Sequence, residues 1–257
     1  MKKVMPVLAC LGPVFMFLTS IAMIVFFGFD INSNMDQPPI PLYIEPADYA
    51  FITWNLIYIG FIALGVYQLS PKYKDDPRFV TGRKYIVVNS LANAAWFVGV
   101  IQNQFWLTVT FMLILLYTLI RLAVIFKLGE RGKDWRERLW IKLPLALYFG
   151  WITLATPINI ASFLLTEVGW TGQAFLTPQI WSVAILTVAV GIVFVMYITK
   201  KANAVYLFVG VWGLLAIFVA NSYRENLVSL FAIVLAILLL FVFAVTKIVF
   251  RKYYAVL

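Results

Sequence analysis

The sequence of 257 residues predicts an all-α protein: a polytopic transmembrane bundle of about eight spans. Three observations carry that expectation. Apolar residues make up 63% of the chain and charged residues 12%, against roughly 45–50% and 25% in soluble domains. The mean hydropathy is +0.94. Eight apolar runs, each near the roughly 20 residues that a span requires, leave only short connections between them. A soluble chain of this composition could not cover its surface with polar groups. A soluble enzyme, a disordered chain and a secreted disulfide scaffold are thereby excluded.

The first run covers about 4–28, behind Met1-Lys2-Lys3. Val7-Leu8-Ala9-Cys10 resembles a lipoprotein cleavage box, but the apolar stretch before Cys10 is too short for a signal h-region. The run also continues through Phe26 and Phe27, so a retained helix is expected. The other runs are about 49–70, 85–102, 105–126, 143–166, 179–199, 204–221 and 227–250. Turn chemistry separates them: Gln37-Pro38-Pro39-Ile40-Pro41, Ser70-Pro71, Asp76-Pro77, Gly129 to Lys133, Gly169 to Gly172 and Thr177-Pro178. The tightest connection is Gln102-Asn103-Gln104, and the seventh run is short.

Charge orients the bundle. Nineteen of the twenty Lys and Arg lie before span one, between spans two and three, in or beside the four–five loop, after span six or at the end of span eight. Arg224 alone is on the other side. The positive-inside rule puts both termini and the basic loops in the cytoplasm, most simply of a bacterial inner or plasma membrane. The net charge of +9 is therefore topogenic, and no nucleic-acid partner is expected. The opposite face is acidic, with Asp30, Asp36, Glu45, Asp48, Glu167 and Glu225.

The chain has no His and one Cys, Cys10. Histidine metal sites, His-based acid–base chemistry, thiolate clusters and an internal disulfide are therefore absent. No acid lies deep in a span, as a cation-coupled carrier would need, and no mid-membrane Lys could carry a retinal. Arg121, six residues before Lys127, is expected to snorkel to the basic face. Trp106, Trp170, Trp181, Trp135 and Trp140 fall near the interfaces and are expected to be belt anchors. Gly210 and Gly213, beside Trp212, suggest a close helix contact without GxxxG spacing.

What remains is a set of Asn and Trp residues. Trp54 and Tyr58 in span two are i,i+4 and share a face. Asn89, Asn93 and Trp96 do the same in span three, and Trp151, Ala155 and Asn159 step by four along span five. Helical rise puts Trp54 about 8 Å, Trp96 and Asn93 about 9–14 Å, and Asn159 about 10 Å below the outer face. Three helices thus bring aromatic and amide groups to one layer. Two readings follow: interhelical hydrogen-bond glue with packed aromatics, or an aromatic-lined cavity whose amides orient a flat apolar ligand.

Three motifs carry a family resemblance. Trp54-Asn-Leu-Ile-Tyr58-Ile-Gly60 in span two, Asn93-Ala-Ala-Trp96 in span three, and Trp151-Ile-Thr-Leu-Ala155-Thr156-Pro-Ile-Asn159 in span five resemble, in order, the second, third and fifth helices of the TspO/translocator-protein group, the tryptophan-rich sensory proteins. The resemblance covers about 1–166, a five-helix core, and leaves 167–257 as three additional helices like those of extended members. It implies an intramembrane pocket for a porphyrin, or in some members a sterol. Trp54, Tyr58, Asn93, Trp96, Trp151, Ala155 and Asn159 are the ligand-binding positions it implies. The family's Trp-Tyr and Lys-Pro loop elements are missing here, as is a Tyr followed by Lys or Arg after span five.

The function that follows is a membrane receptor or carrier for a flat hydrophobic molecule, with a tetrapyrrole (porphyrin) as the leading candidate and no required cofactor. The alternative is a scaffold or assembly subunit of a larger complex, in which 179–250 docks a second copy or a membrane protein partner. An enzyme ranks last, because His, paired carboxylates and an activated Cys are missing. Membrane lipid is the remaining expected partner.

Overall fold

The computed structural model describes residues 4–27, 42–169 and 177–249. The Pro38-Pro39 stretch, Asp30, Asp36, Trp170, Gly172, Lys2, Lys3, Arg251 and Lys252 lie outside them. Eight helices among the described residues are long and apolar enough to cross a membrane. They are α1 (Val4–Phe27), α2 (Ile52–Tyr67), α3 (Pro77–Ile101), α4 (Phe105–Ile125), α5 (Leu143–Thr166), α6 (Pro178–Ile198), α7 (Ala204–Asn221) and α8 (Asn226–Val249). A 3₁₀ turn, Asp48–Phe51, leads into α2. A helical turn, Trp135–Glu137, and a π-helical turn, Arg138–Lys142, lead into α5. In hydrocarbon every backbone donor and acceptor must be satisfied within the chain, which is why the apolar runs are helices.

Two helices begin earlier than hydropathy suggests. Helix α3 starts at Pro77 rather than near 85, and the helical path into α5 starts at Trp135 rather than 143. Both carry bases within two turns of their starts, Arg78 and Arg83 in one and Arg136 and Arg138 in the other, which end an apolar run without ending a helix. Caps mark these starts. Asp76 accepts from the Arg78 backbone N–H at 2.8 Å with Pro77 behind it, and Asp134 accepts from the Glu137 N–H at 2.7 Å. Asn203 caps α7 through the Val205 and Tyr206 N–H groups. The tight turn after α3 forms as the sequence predicts: Asn103 adopts φ 52°, a left-handed conformation that Asn tolerates.

Helices α1 to α5 close into a ring. Helix α1 packs on α2 and α3, α3 on α4, α4 on α5, and α5 on α2. Helix α7 lies along the outside of α5, α8 packs on α7, and α6 touches α5, α7 and α8. Small residues set the α5–α7 distance. A Cβ on Gly150 would sit 2.9 Å from Val209 Cβ, and one on Gly213 would sit 2.5 Å from Leu154 Cδ1. Gly213 thus makes the close contact that its sequence position suggested, although without the usual motif.

The basic end is tied by polar bonds. Gln68 donates to the Pro6 carbonyl at 2.7 Å and accepts from Arg83 Nε at 2.7 Å, joining α1, the end of α2 and α3. Arg78 pairs with Asp76 at 2.9 Å and with the buried Glu137 at 2.8 Å. Lys72 pairs with Asp134 at 2.8 Å in the open. Burial works to raise the Asp76 pKa, but hydrogen bonds and charge from Arg78 outweigh it and hold the carboxyl below its ordinary value. The hydrogen bond from Lys72 lowers Asp134 in the same way. Arg121 lies exposed with its guanidinium 5.6 Å from the Tyr85 ring. Trp106, Trp135 and Trp140 are also exposed, as belt residues are.

Candidate functional site

The aromatic residues of α2, α3 and α5 meet inside the bundle. Trp54 is central. It stacks on Tyr58 with ring centroids 5.6 Å apart and on Trp96 at 6.1 Å, and meets Trp151 edge-on at 6.4 Å. Tyr148 of α5 adds another edge contact at 6.0 Å, and Phe51 packs edge-on against Trp151 at 5.8 Å. All three Trp side chains are buried. Offset and edge-on pairs of this kind contribute roughly 0.5–1.5 kcal/mol each beyond their area.

The amides bond across the same helices. Trp96 Nε1 donates to Asn159 Oδ1 at 3.1 Å, joining α3 to α5, while Asn159 Nδ2 donates to the Ala155 carbonyl one turn back. Asn93 Nδ2 donates to the Tyr148 hydroxyl at 3.0 Å, and Asn89 Nδ2 donates to Thr118 Oγ1 of α4 at 2.7 Å. The Asn93 carbonyl oxygen is buried without a hydrogen-bond partner among the described residues. The amides thus join helices, and the indoles beside them bound a space.

That space is a cavity of about 120 Å³. Trp54, Trp96, Trp151, Ala155 and Asn159 line it. Tyr58 and Asn93 lie one layer behind, Tyr58 against Trp54 and Asn93 against Tyr148. Other walls include Leu186 and Ala189 of α6, Leu214 and Ile217 of α7 and Met112 of α4, none singled out in the sequence, and Gly213 of α7, which the sequence marked only as a helix contact. Ile44, Glu45 and Pro46 form its roof.

Helix α7 holds that roof. The Ala47 N–H donates to the Ala216 carbonyl at 3.1 Å, Asn221 Nδ2 to the Tyr43 carbonyl at 2.8 Å, and Trp212 Nε1 to the Ala50 carbonyl at 3.4 Å. The Trp212 ring also meets Tyr49 edge-on at 5.3 Å. Trp212 is thus a clasp on the segment before α2. Glu45 is exposed on one side while lining the cavity on the other. Desolvation there raises its pKa, and Arg224 pulls it down in part. The site offers aromatic faces, apolar walls and one carboxylate at its rim, which suits binding a flat apolar group.

No curated protein matches the chain, and no solved structure does. A family model described as TSPO-like protein matches residues 5–245. That match runs through the five-helix ring and on into α8, so it takes in the helices that supply the cavity's far wall. The chain belongs to the TSPO-like protein family.

Proposed function

We propose that this integral membrane protein is a receptor or carrier that binds a flat apolar ligand between Trp54, Trp96 and Trp151, with a tetrapyrrole as the first candidate. The observation that carries the reading is the box of three buried indoles around a cavity shared by α2, α3, α5, α6 and α7. Family membership supports a protein of the TspO type. Size sharpens the proposal. A cavity of about 150 Å³ accepts benzene, so 120 Å³ suits one ring. Pockets for larger ligands run to roughly 300–1,000 Å³. A whole tetrapyrrole therefore requires the walls to part, with one edge of the macrocycle entering between the indoles. In this reading the basic end is cytoplasmic and Glu45 stands at the outer mouth, where its charge acts on a ligand's carboxylates.

The test is a titration of the purified protein with protoporphyrin IX, followed by Trp fluorescence, beside Trp96→Ala and Asn159→Ala. Saturable quenching in the parent protein, weakened in both variants, supports the site. No saturable quenching, or equal quenching in all three proteins, refutes it.

A further inference from the structure

A second, larger void lies on the other side of the cavity wall. It is a groove of about 690 Å³ between α4 and α6, with α5 as its floor. Its lining is almost wholly apolar, and its rims are exposed at Leu113 and Ile120 of α4 and Val188 and Ile192 of α6. All three helices are spans, so the groove opens on the hydrocarbon layer.

The two voids share walls. Pro157 and Ile185 line both. On α4, Met112 lines the cavity while its neighbour Leu113 lines the groove. The partition is therefore a single layer of side chains. Pro157 also lacks an N–H, so the Thr153 carbonyl has no helical donor at that level and α5 is locally easier to bend.

We infer that this groove is a lateral portal: the ligand of the indole cavity, once dissolved in the bilayer, passes between α4 and α6 and crosses the Pro157–Ile185 partition. The inference rests on the binding function proposed above. Each buried CH₂ favours the hydrocarbon layer over water by about 0.8 kcal/mol, so an apolar ligand is concentrated at the groove and scarce at the acidic mouth beside Glu45. An obstacle on a path raises the barrier equally in both directions. It slows entry and exit by one factor and leaves the affinity unchanged.

The experiment uses the full chain in nanodiscs, with protoporphyrin IX supplied from lipid vesicles, and follows Trp quenching by stopped flow. Ala184→Phe and Val188→Phe add bulk to the groove at residues that do not line the cavity. Val188 is 61% exposed, so its variant leaves the packing intact. Val195→Phe, on the exposed part of α6 away from the groove, is the control. Entry and exit rates are expected to fall together by about tenfold in the groove variants, with Kd within about twofold of the parent. Unchanged rates with saturable binding retained would overturn the portal and leave the site standing. A weaker Kd with faster exit would also overturn it, because the groove would then be the binding site. Loss of saturable binding in the parent protein would overturn both proposals.

Discussion

Trp96 and Asn159 join α3 to α5 through one hydrogen bond of 3.1 Å, and its worth can be isolated. Trp96→Phe removes the indole N–H and keeps an aromatic ring. Asn159→Ala removes the acceptor. Inside a bilayer there is no transfer from water to oil to lose, so each single substitution costs packing plus the stranded partner. The Asn159 carbonyl oxygen is left bare in one variant and the Trp96 N–H in the other. Interhelical hydrogen bonds in membranes average about 0.6 kcal/mol and reach about 1.7. The two residues should therefore couple by that amount, a factor of about 3 to 16 in the folding constant. Equilibrium unfolding of the parent, both singles and the double variant in bicelles completes the cycle. Coupling below about 0.3 kcal/mol, the usual scatter of additive pairs, would refute the view that this bond fastens α3 to α5.

Three further outcomes follow from the same contacts. Glu45→Gln should strengthen binding of a ligand bearing carboxylates at neutral pH. The parent should approach that affinity only as pH falls through the raised Glu45 pKa, a difference that titrations at several pH values will show. Gly150→Val should push α7 from α5, because even a Cβ there lies 2.9 Å from Val209 Cβ; an overpacking cost of roughly 1–3 kcal/mol is expected in equilibrium unfolding. Asp76→Ala should cost roughly 0.5–2 kcal/mol through the lost α3 cap. Since the folded Asp76 pKa is depressed, its contribution is present above the unfolded value of about 3.9 and disappears as pH falls through the folded value. The variant should therefore lose part of the parent's acid sensitivity in pH-dependent unfolding.

The eight spans are legible because each is an unbroken apolar run. The starts of α3 and of the path into α5 are not, since a hydropathy window cannot distinguish a charged first turn from a loop. Trp54, Trp96 and Trp151 stand out because indoles and amides at steps of three and four are rare in spans. Leu214 and Ile217 do not. An apolar residue that faces a cavity looks the same in sequence as one that faces lipid, and only the docking of α7 on α5 separates them. Glu45 reads as one acid among several in an outer loop. Its place at the rim depends on the Ala47–Ala216 hydrogen bond, which joins residues far apart in the chain. The same holds for Trp212, whose role as a clasp needs the partner segment to be seen.

The cavity wall contributed by α7 makes occupancy and helix docking one equilibrium. Any molecule that fills the space touches both the ring of α1 to α5 and the helices outside it, so it holds the two together. A ligand at 100 times its Kd adds about 2.7 kcal/mol to that association. If the chain is expressed as two fragments divided between α5 and α6, the halves should reassemble more completely when the ligand is present, and complementation then becomes a readout of binding that requires no fluorophore.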